Sequence, residues 1–396
     1  MQTDSRIRIL LCSSSMNGGG SERQLLYLLR GLDRKRFEPS LYLFFEEGAL
    51  LEAVPQDVSI FSFWKNRTRP RLQWPGRMHR QYIADLTDVI RKQKIQVSYD
   101  RLFHMTLVAG PATHATRCPR VSTIVSPPEH DLQRRAERWQ WIKRRKLSKA
   151  YRESAALLSV SAGTAQAASE FYRIPISQFQ IVPSPLDLEG IDHKKTGRLP
   201  ETPGVIDALR DPELKHIISV GRLSQEKGHS DLLEAFRQVV ERNGTSYRLH
   251  VVGDGPLMQN LQEQAVRGGV KQYVFFHGHL SNPYPLMHRA DLHVLPSHYE
   301  GLPNVMLESM VLRCPVLATD TKQGAGEYLR EHPFGTLVPV QDPNSMALAI
   351  ADRFSNPERW LSVVAEAEAY TRRYHGLGHW IETLSQLFER VARRNG

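Results

Sequence analysis

The stretch His216-Ile217-Ile218-Ser219-Val220-Gly221-Arg222-Leu223-Ser224-Gln225-Glu226-Lys227-Gly228 opens as a short apolar run, breaks at a glycine, and continues as a polar loop. An amphipathic pattern follows over Ser230–Val240. Strand, loop and helix in that order make the repeating unit of an α/β fold. The same alternation extends in both directions. Before it, the sequence predicts strands at Arg6–Ser14, Glu38–Phe45, Val58–Phe63, Gln96–Leu102, Val121–Val125, Ala156–Val160 and Gln180–Val182. Helical patterns lie between them, among them Ser21–Gly31, Met78–Lys94, Gln133–Glu153 and Ala162–Tyr172. After it come strands at Tyr247–Val252, Val274–Phe276, Leu292–Leu295, Val316–Ala318 and Thr336–Val338.

Pro183–Pro212 holds five of the chain's 24 prolines and reads as a linker between two doubly wound domains. Ligands in such folds bind beyond the carboxyl ends of the strands, so the chemistry is expected in a cleft between the domains. A last amphipathic helix, His379–Arg394, carries Ile381, Leu384, Leu387 and Phe388 near one face. The residues alone leave open whether it finishes the second domain or crosses to the first.

Composition narrows the function classes. The chain has 396 residues, 41% hydrophobic and 24% charged, which is globular composition. No apolar run approaches the ~18 residues that cross a bilayer. The run Ile9–Cys12 is too short for a signal-peptide core, so export is not expected. Cys12, Cys118 and Cys314 are odd in number and far apart, which excludes a disulfide framework and suits a reducing cytoplasm.

The net charge of +10 is concentrated. Lys65–Arg80 has six basic residues and no acid, and Asp131–Arg152 has nine against two acids. Trp64, Trp74, Trp139 and Trp141 accompany these windows. Cations interleaved with indoles suit an anionic membrane surface through 64–80 and 131–152, and equally a solvated helix face. No nucleic-acid recognition motif accompanies the charge, so no nucleic-acid partner is expected.

Three glycine turns and one acidic pair carry the chemistry. The first strand runs into Ser15-Met16-Asn17-Gly18-Gly19-Gly20-Ser21, where Gly19 and Gly20 let the backbone approach an anion at a helix start. A dinucleotide fingerprint would need glycine where Arg23 stands. In the Gly221–Gly228 loop, Arg222 and Lys227 suit a diphosphate, whose developing charge needs cations. Gly253-Asp254-Gly255-Pro256 is a further strand-to-helix turn and also fails the fingerprint, at Met258. In Glu300-Gly301-Leu302-Pro303-Asn304-Val305-Met306-Leu307-Glu308, a helix starts near Pro303. Its free N–H groups around Gly301, Leu302, Pro303 and Asn304 lie between two acids suited to accept from hydroxyls.

With these motifs the chain resembles the retaining family 4 glycosyltransferases of the GT-B fold, over essentially its whole length. The carriers are Gly221–Gly228, Val252–Pro256, the acids Glu300 and Glu308, and Gly18–Arg23. The resemblance implies two Rossmann-like domains facing each other across a cleft. The first, residues 1–185, would bind the acceptor and take back the helix at 378–396. A linker at 186–213 and a nucleotide-sugar domain at 214–377 complete the expectation. It also implies that Arg222 and Lys227 hold the donor diphosphate, that Glu300 meets the donor sugar and Glu308 the ribose, and that the His279–Leu280 segment meets the base. Where many members place a histidine after the strand at Val121–Val125, this sequence has Val125, with His130 downstream. His104 also matches a family position, and the sequence does not choose between them.

The expected reaction moves a hexose-type sugar from a nucleoside diphosphate, uridine on family grounds, to a hydroxyl of a glycan, lipid-linked or polyanionic acceptor with retention. No carboxylate nucleophile stands out in the first half, so the leaving phosphate is expected to help deprotonate the acceptor. No Asp-x-Asp occurs, so neither metal nor other cofactor is expected. A phosphorylase or epimerase on the same fold is the nearest rival. A nicotinamide-dependent oxidoreductase and a non-catalytic sugar-nucleotide binder are more distant ones. The expected location is cytoplasmic, peripheral to the inner membrane face at most.

Overall fold

The computed structural model of the protein describes residues 6–65, 67, 76–128 and 140–393. The chain forms two compact units, one of Met1–Ser184 with Leu377–Gly396, the other of Pro185–Gly376. Each is a parallel sheet covered by helices.

The first sheet contains β1 (Ile7–Ser13), β2 (Phe37–Leu43), β3 (Ser59–Ser62), β4 (Val97–Arg101), β5 (Arg120–Ile124), β6 (Ala156–Ser159) and β7 (Phe179–Ile181), in the order β3-β2-β1-β4-β5-β6-β7. Every pairing is parallel, and β4 and β5 are buried throughout and β1 from Ile9 onward, as two-sided cover requires. Alternate residues serve opposite faces. Ile9, Leu11, Leu41, Tyr99 and Val121 pack with Leu25, Leu28 and Leu29 of the helix Gly20–Gly31. Leu10, Cys12 and Tyr42 pack with Leu86 and Ile90 of one helix and Met105, Val108 and Ala112 of another. That last helix, Phe103–Thr116, is absent from the sequence-predicted elements above. Of the predicted helix Gln133–Glu153, Gln140–Arg152 is helical and the earlier residues lie outside the described ones.

The terminal helix runs from Leu377 to Arg393 and buries Trp380, Leu384, Leu387, Phe388 and Val391 in the first unit's core. Arg36 donates to Glu382 at 2.7 Å and to Glu389 at 2.8 Å, fixing its register. The crossing to the first domain is therefore the arrangement found.

The second sheet contains β8 (Lys215–Val220), β9 (Tyr247–Val252), β10 (Val274–Phe276), β11 (Leu292–Leu295), β12 (Val316–Thr319) and β13 (Thr336–Val338), in the order β10-β9-β8-β11-β12-β13, again all parallel. The segment expected as a linker, 186–213, instead forms the helices Leu188–Lys194 and Val205–Arg210 within this unit. Leu186, Ile191 and Val205 are buried in its core, and Arg372 grips Asp192 with two hydrogen bonds of 2.8 and 2.9 Å. Proline density marks turns between short helices here, not a free tether.

Strand order reverses between β1 and β4 in one unit and between β8 and β11 in the other. A crevice opens at such switch points, beyond the carboxyl ends of the strands.

Candidate functional site

At the β8/β11 switch point the loop Gly221–Gly228 leaves β8 and the loop from Pro296 to Pro303 leaves β11. Glycines allow the loops to touch backbone to backbone. A Cβ on Gly228 (φ +66°) would stand 1.9 Å from Pro296 O, and one on Gly253 (φ +141°) 1.8 Å from Gly221 O. Gly253 N donates to Gly278 O at 2.8 Å, and His298 N to Glu226 O at 2.8 Å. The His298 ring, 2.7 Å from Asp231, fastens the β11 loop to the first turn of the helix His229–Asn243. The expected sites at Arg222, Lys227, Gly253, His279, Leu280 and Gly301 to Asn304 thus occupy consecutive loops along one sheet edge.

The chemistry centres on Lys227 and Glu300. Lys227 Nζ donates to Glu300 Oε2 at 2.6 Å, joining loops 73 residues apart in sequence. The Glu300 side chain is only 10% exposed, and its Oε1 is buried without a partner among the described residues. A carboxylate oxygen in that state costs free energy unless a donor arrives, so Glu300 is poised to accept from a ligand. Arg222 is exposed and forms no ion pair with a described residue. The helix Asn304–Val311 starts at Pro303 with no side-chain cap, which leaves its first N–H groups for a ligand. Glu308, on that helix, accepts from Tyr284 OH at 3.3 Å, a contact without a sequence signature.

Histidines underlie this edge. His229, 3% exposed beside Lys227, has neither ring nitrogen bonded to a described residue, and burial and that cation hold its pKa down at about 4. His216, His250 and His277 form a chain with ring-nitrogen separations of 3.0 and 3.1 Å, ending at Thr202 Oγ1, 2.8 Å from His277. Burial lowers the pKa of all three histidines, that of His277 to about 4. The chain braces the strand end that leads into Gly278, His279 and Leu280. Sequence reading missed it because His216 and His250 lie on two strands and His277 just after a third.

In the first unit, Gly19 and Gly20 lie after β1 at the start of the helix Gly20–Gly31, and His104 lies in the first turn of Phe103–Thr116 after β4. Both groups therefore stand at the β1/β4 switch point. His130 lies outside the described residues, as do Trp74 and Trp139. Of the basic windows, Lys65 pairs with Glu46 and Arg67 with Asp85, and Trp64 Nε1 donates to Tyr82 OH at 3.0 Å. Trp64 is therefore engaged within the unit, whereas Trp141 is 65% exposed on the basic helix Gln140–Arg152.

Comparison with known proteins accords with this layout. Residues 18–189 match the family described as Glycosyltransferase Family 4, and residues 214–356 match Glycosyl transferases group 1. The chain belongs to the family 4, group 1 glycosyltransferases. One relative of this family member is the N-acetylgalactosamine-N,N'-diacetylbacillosaminyl-diphospho-undecaprenol 4-alpha-N-acetylgalactosaminyltransferase of Campylobacter jejuni. It is 30% identical over 200 residues, 50% of this chain and 51% of that protein. Glycogen synthase of Mycobacterium tuberculosis is 33% identical over 143 residues, 36% of this chain and 34% of that enzyme. The matches thus span about half or less of these relatives. Among solved structures, Anabaena HepE in complex with UDP has a TM-score of 0.77 at 20% identity, covering 97% of this chain and 100% of that one. WaaG, a glycosyltransferase of lipopolysaccharide biosynthesis, has a TM-score of 0.70 at 17% identity, covering 96% and 99%. These likenesses establish the GT-B fold.

Proposed function

We propose that the chain transfers a hexose-type sugar from a uridine diphosphate donor to a hydroxyl of a lipid-linked glycan, with retention at the anomeric carbon. The observation that carries the reading is the Lys227–Glu300 pair at the β8/β11 switch point, with a second carboxylate oxygen left for a ligand. Arg222 and Lys227 hold the diphosphate and stabilise the charge that develops as it leaves. Glu300 Oε1 accepts from a sugar hydroxyl, Glu308 from the ribose, and the backbone at Gly278 to Leu280 meets the base. The leaving phosphate takes the acceptor's proton on the same face of an oxocarbenium-like sugar. His104 is the first-domain catalytic group in this reading, supported by its position after β4, the strand next to the one that leads into the glycine turn.

A lipid-linked acceptor is supported by the name of the C. jejuni relative and by the basic helix Gln140–Arg152 with exposed Trp141. Among the described residues no helix is long and apolar enough to cross a membrane, so any attachment through this helix is to the surface. Cytoplasmic, peripheral placement belongs to the same proposal, as does catalysis without a metal. Incubating the protein with UDP-sugars and a polyprenyl-diphosphate glycan, with the product anomer read by NMR, tests the reaction. Product of inverted configuration refutes retention. Loss of turnover in EDTA refutes metal independence, and equal binding to neutral and anionic liposomes refutes the surface role.

A further inference from the structure

Asp100 and Arg101 are the last two residues of β4, at the first unit's switch point, and both are buried. Their side chains serve opposite sheet faces. Asp100, 0% exposed, is fully served: Arg120 donates to it at 3.1 Å, Ser122 at 2.8 Å and Thr106 at 2.5 Å. Arg101 is in the reverse condition. It is 4% exposed and forms no ion pair with any described residue. Among the described residues its one bonded partner is neutral, the Tyr99 hydroxyl at 2.8 Å, and its Nε has none. Tyr99 OH is itself tied to Thr123 at 3.0 Å.

A buried guanidinium without a carboxylate is costly, because the protein replaces little of the hydration it has lost. A guanidinium is not deprotonated in proteins, so loss of a proton does not relieve such a cost. The residue after it, Leu102, holds φ at +68°, a strained value for a leucine, and turns the chain directly into the helix that bears His104. Arg101 also shares the face of Tyr99, which packs with the helix Gly20–Gly31 behind the Gly18–Gly20 turn.

We infer that Arg101 is the anion-binding residue of the first unit and takes an oxyanion, phosphate or carboxylate, of the ligand bound at the β1/β4 switch point. The planar fork of the guanidinium fits two oxygens at once, which Lys at this position would not reproduce. Naming the anion's carrier as the acceptor rests on the function proposed above, whereas the anion site itself does not. A ligand phosphate would complete the charge balance that Asp100, already committed to Arg120, cannot supply.

The test uses the full chain carrying Arg222→Ala, so that the second unit's cations do not dominate, and reads inorganic phosphate binding by calorimetry and thermal shift at constant ionic strength. Arg101→Gln in this background should weaken phosphate binding about tenfold or more. It should unfold no earlier than its parent without phosphate, since an unbalanced buried charge has gone. Arg101→Lys should keep part of the phosphate shift, which preserves the test if the glutamine variant folds poorly. An Arg101-dependent shift that survives saturating UDP assigns the oxyanion to the acceptor, and one that UDP abolishes assigns it to the donor. Equal phosphate affinity with and without Arg101 overturns the inference. UDP affinity unchanged by Arg222→Ala would instead sink the donor reading of the second unit, and leaves the Arg101 comparison intact.

Discussion

Replacing Gly253 by alanine tests whether close backbone contact holds the donor loops in place. Gly253 has φ +141°, a region that residues bearing a Cβ seldom enter, and its new methyl would stand 1.8 Å from Gly221 O and 2.9 Å from Gly221 C. Neither atom belongs to a flexible side chain. The end of β8 must move by an ångström or more, or Gly253 must abandon its bond to Gly278 O. Backbone strain of about 1–3 kcal/mol and overpacking of a further 1–3 kcal/mol put the loss at roughly 2–6 kcal/mol. Gly269→Ala is the matched control, because φ there is +68° and nothing lies within 4 Å of the added Cβ. It should cost only the conformational part, about 1–2 kcal/mol. Urea denaturation reads the stability, and titration with UDP reads the site. Gly253→Ala should weaken UDP at least tenfold, since Arg222 follows the displaced Gly221 directly, while Gly269→Ala should leave UDP binding unchanged. If the two variants share one denaturation midpoint and one UDP affinity, the packing argument for these loops is wrong.

Glu300→Gln should lower kcat/KM by about 10–100-fold, the worth of a hydrogen bond to a charged acceptor, yet bind UDP as well as the parent or better. The reason is that Lys227 then no longer divides its charge with a carboxylate 2.6 Å away, and a parallel fall in UDP affinity would contradict it. Phe388→Ala, at a fully buried ring packed 5.5 Å from Tyr99, should destabilise the first unit by about 3–5 kcal/mol while UDP binding to the second persists; joint loss of both would count against independent units. Stability should also decline as pH falls from about 6.5 toward 4. Buried His229 and His277, with folded pKa values of about 4, and His293, at about 3, remain neutral while their unfolded counterparts take up protons. The contribution is intact above the unfolded value and lost below it, so urea midpoints that do not drop between pH 7 and pH 5 would refute this.

Much of the fold was legible because a parallel sheet leaves a strong trace. Its strands are short apolar runs, closed directly by glycine at β8 and β9, and β8, β9, β10, β11, β12 and β13 all fall within a residue or so of their expected bounds. The helix Phe103–Thr116 escaped because it is buried and apolar nearly all round, with little amphipathic period to detect. The segment 186–213 was misread because proline enrichment reports turns, and turns between short packed helices look like those of a tether. In the candidate site, the Gly221–Gly228 loop and the acids at Glu300 and Glu308 announced themselves by spacing. Tyr284, the His216–His250–His277 chain and Arg101 did not, since each gains its meaning from partners distant in sequence or, for Arg101, from the want of a carboxylate among the described residues.

The route of the chain sets an order on its birth at the ribosome. The first unit owes Trp380, Leu384, Leu387, Phe388 and Val391 to residues made only after all of Pro185–Gly376 has emerged. The second unit can close its core as soon as its own strands exist. The N-terminal half must wait with Ile9, Leu11 and Leu28 uncovered on one flank, reversing the usual sequence in which the earlier domain matures first. Nascent chains stalled short of residue 377 should therefore hold an open, chaperone-binding N-terminal half beside a finished second one.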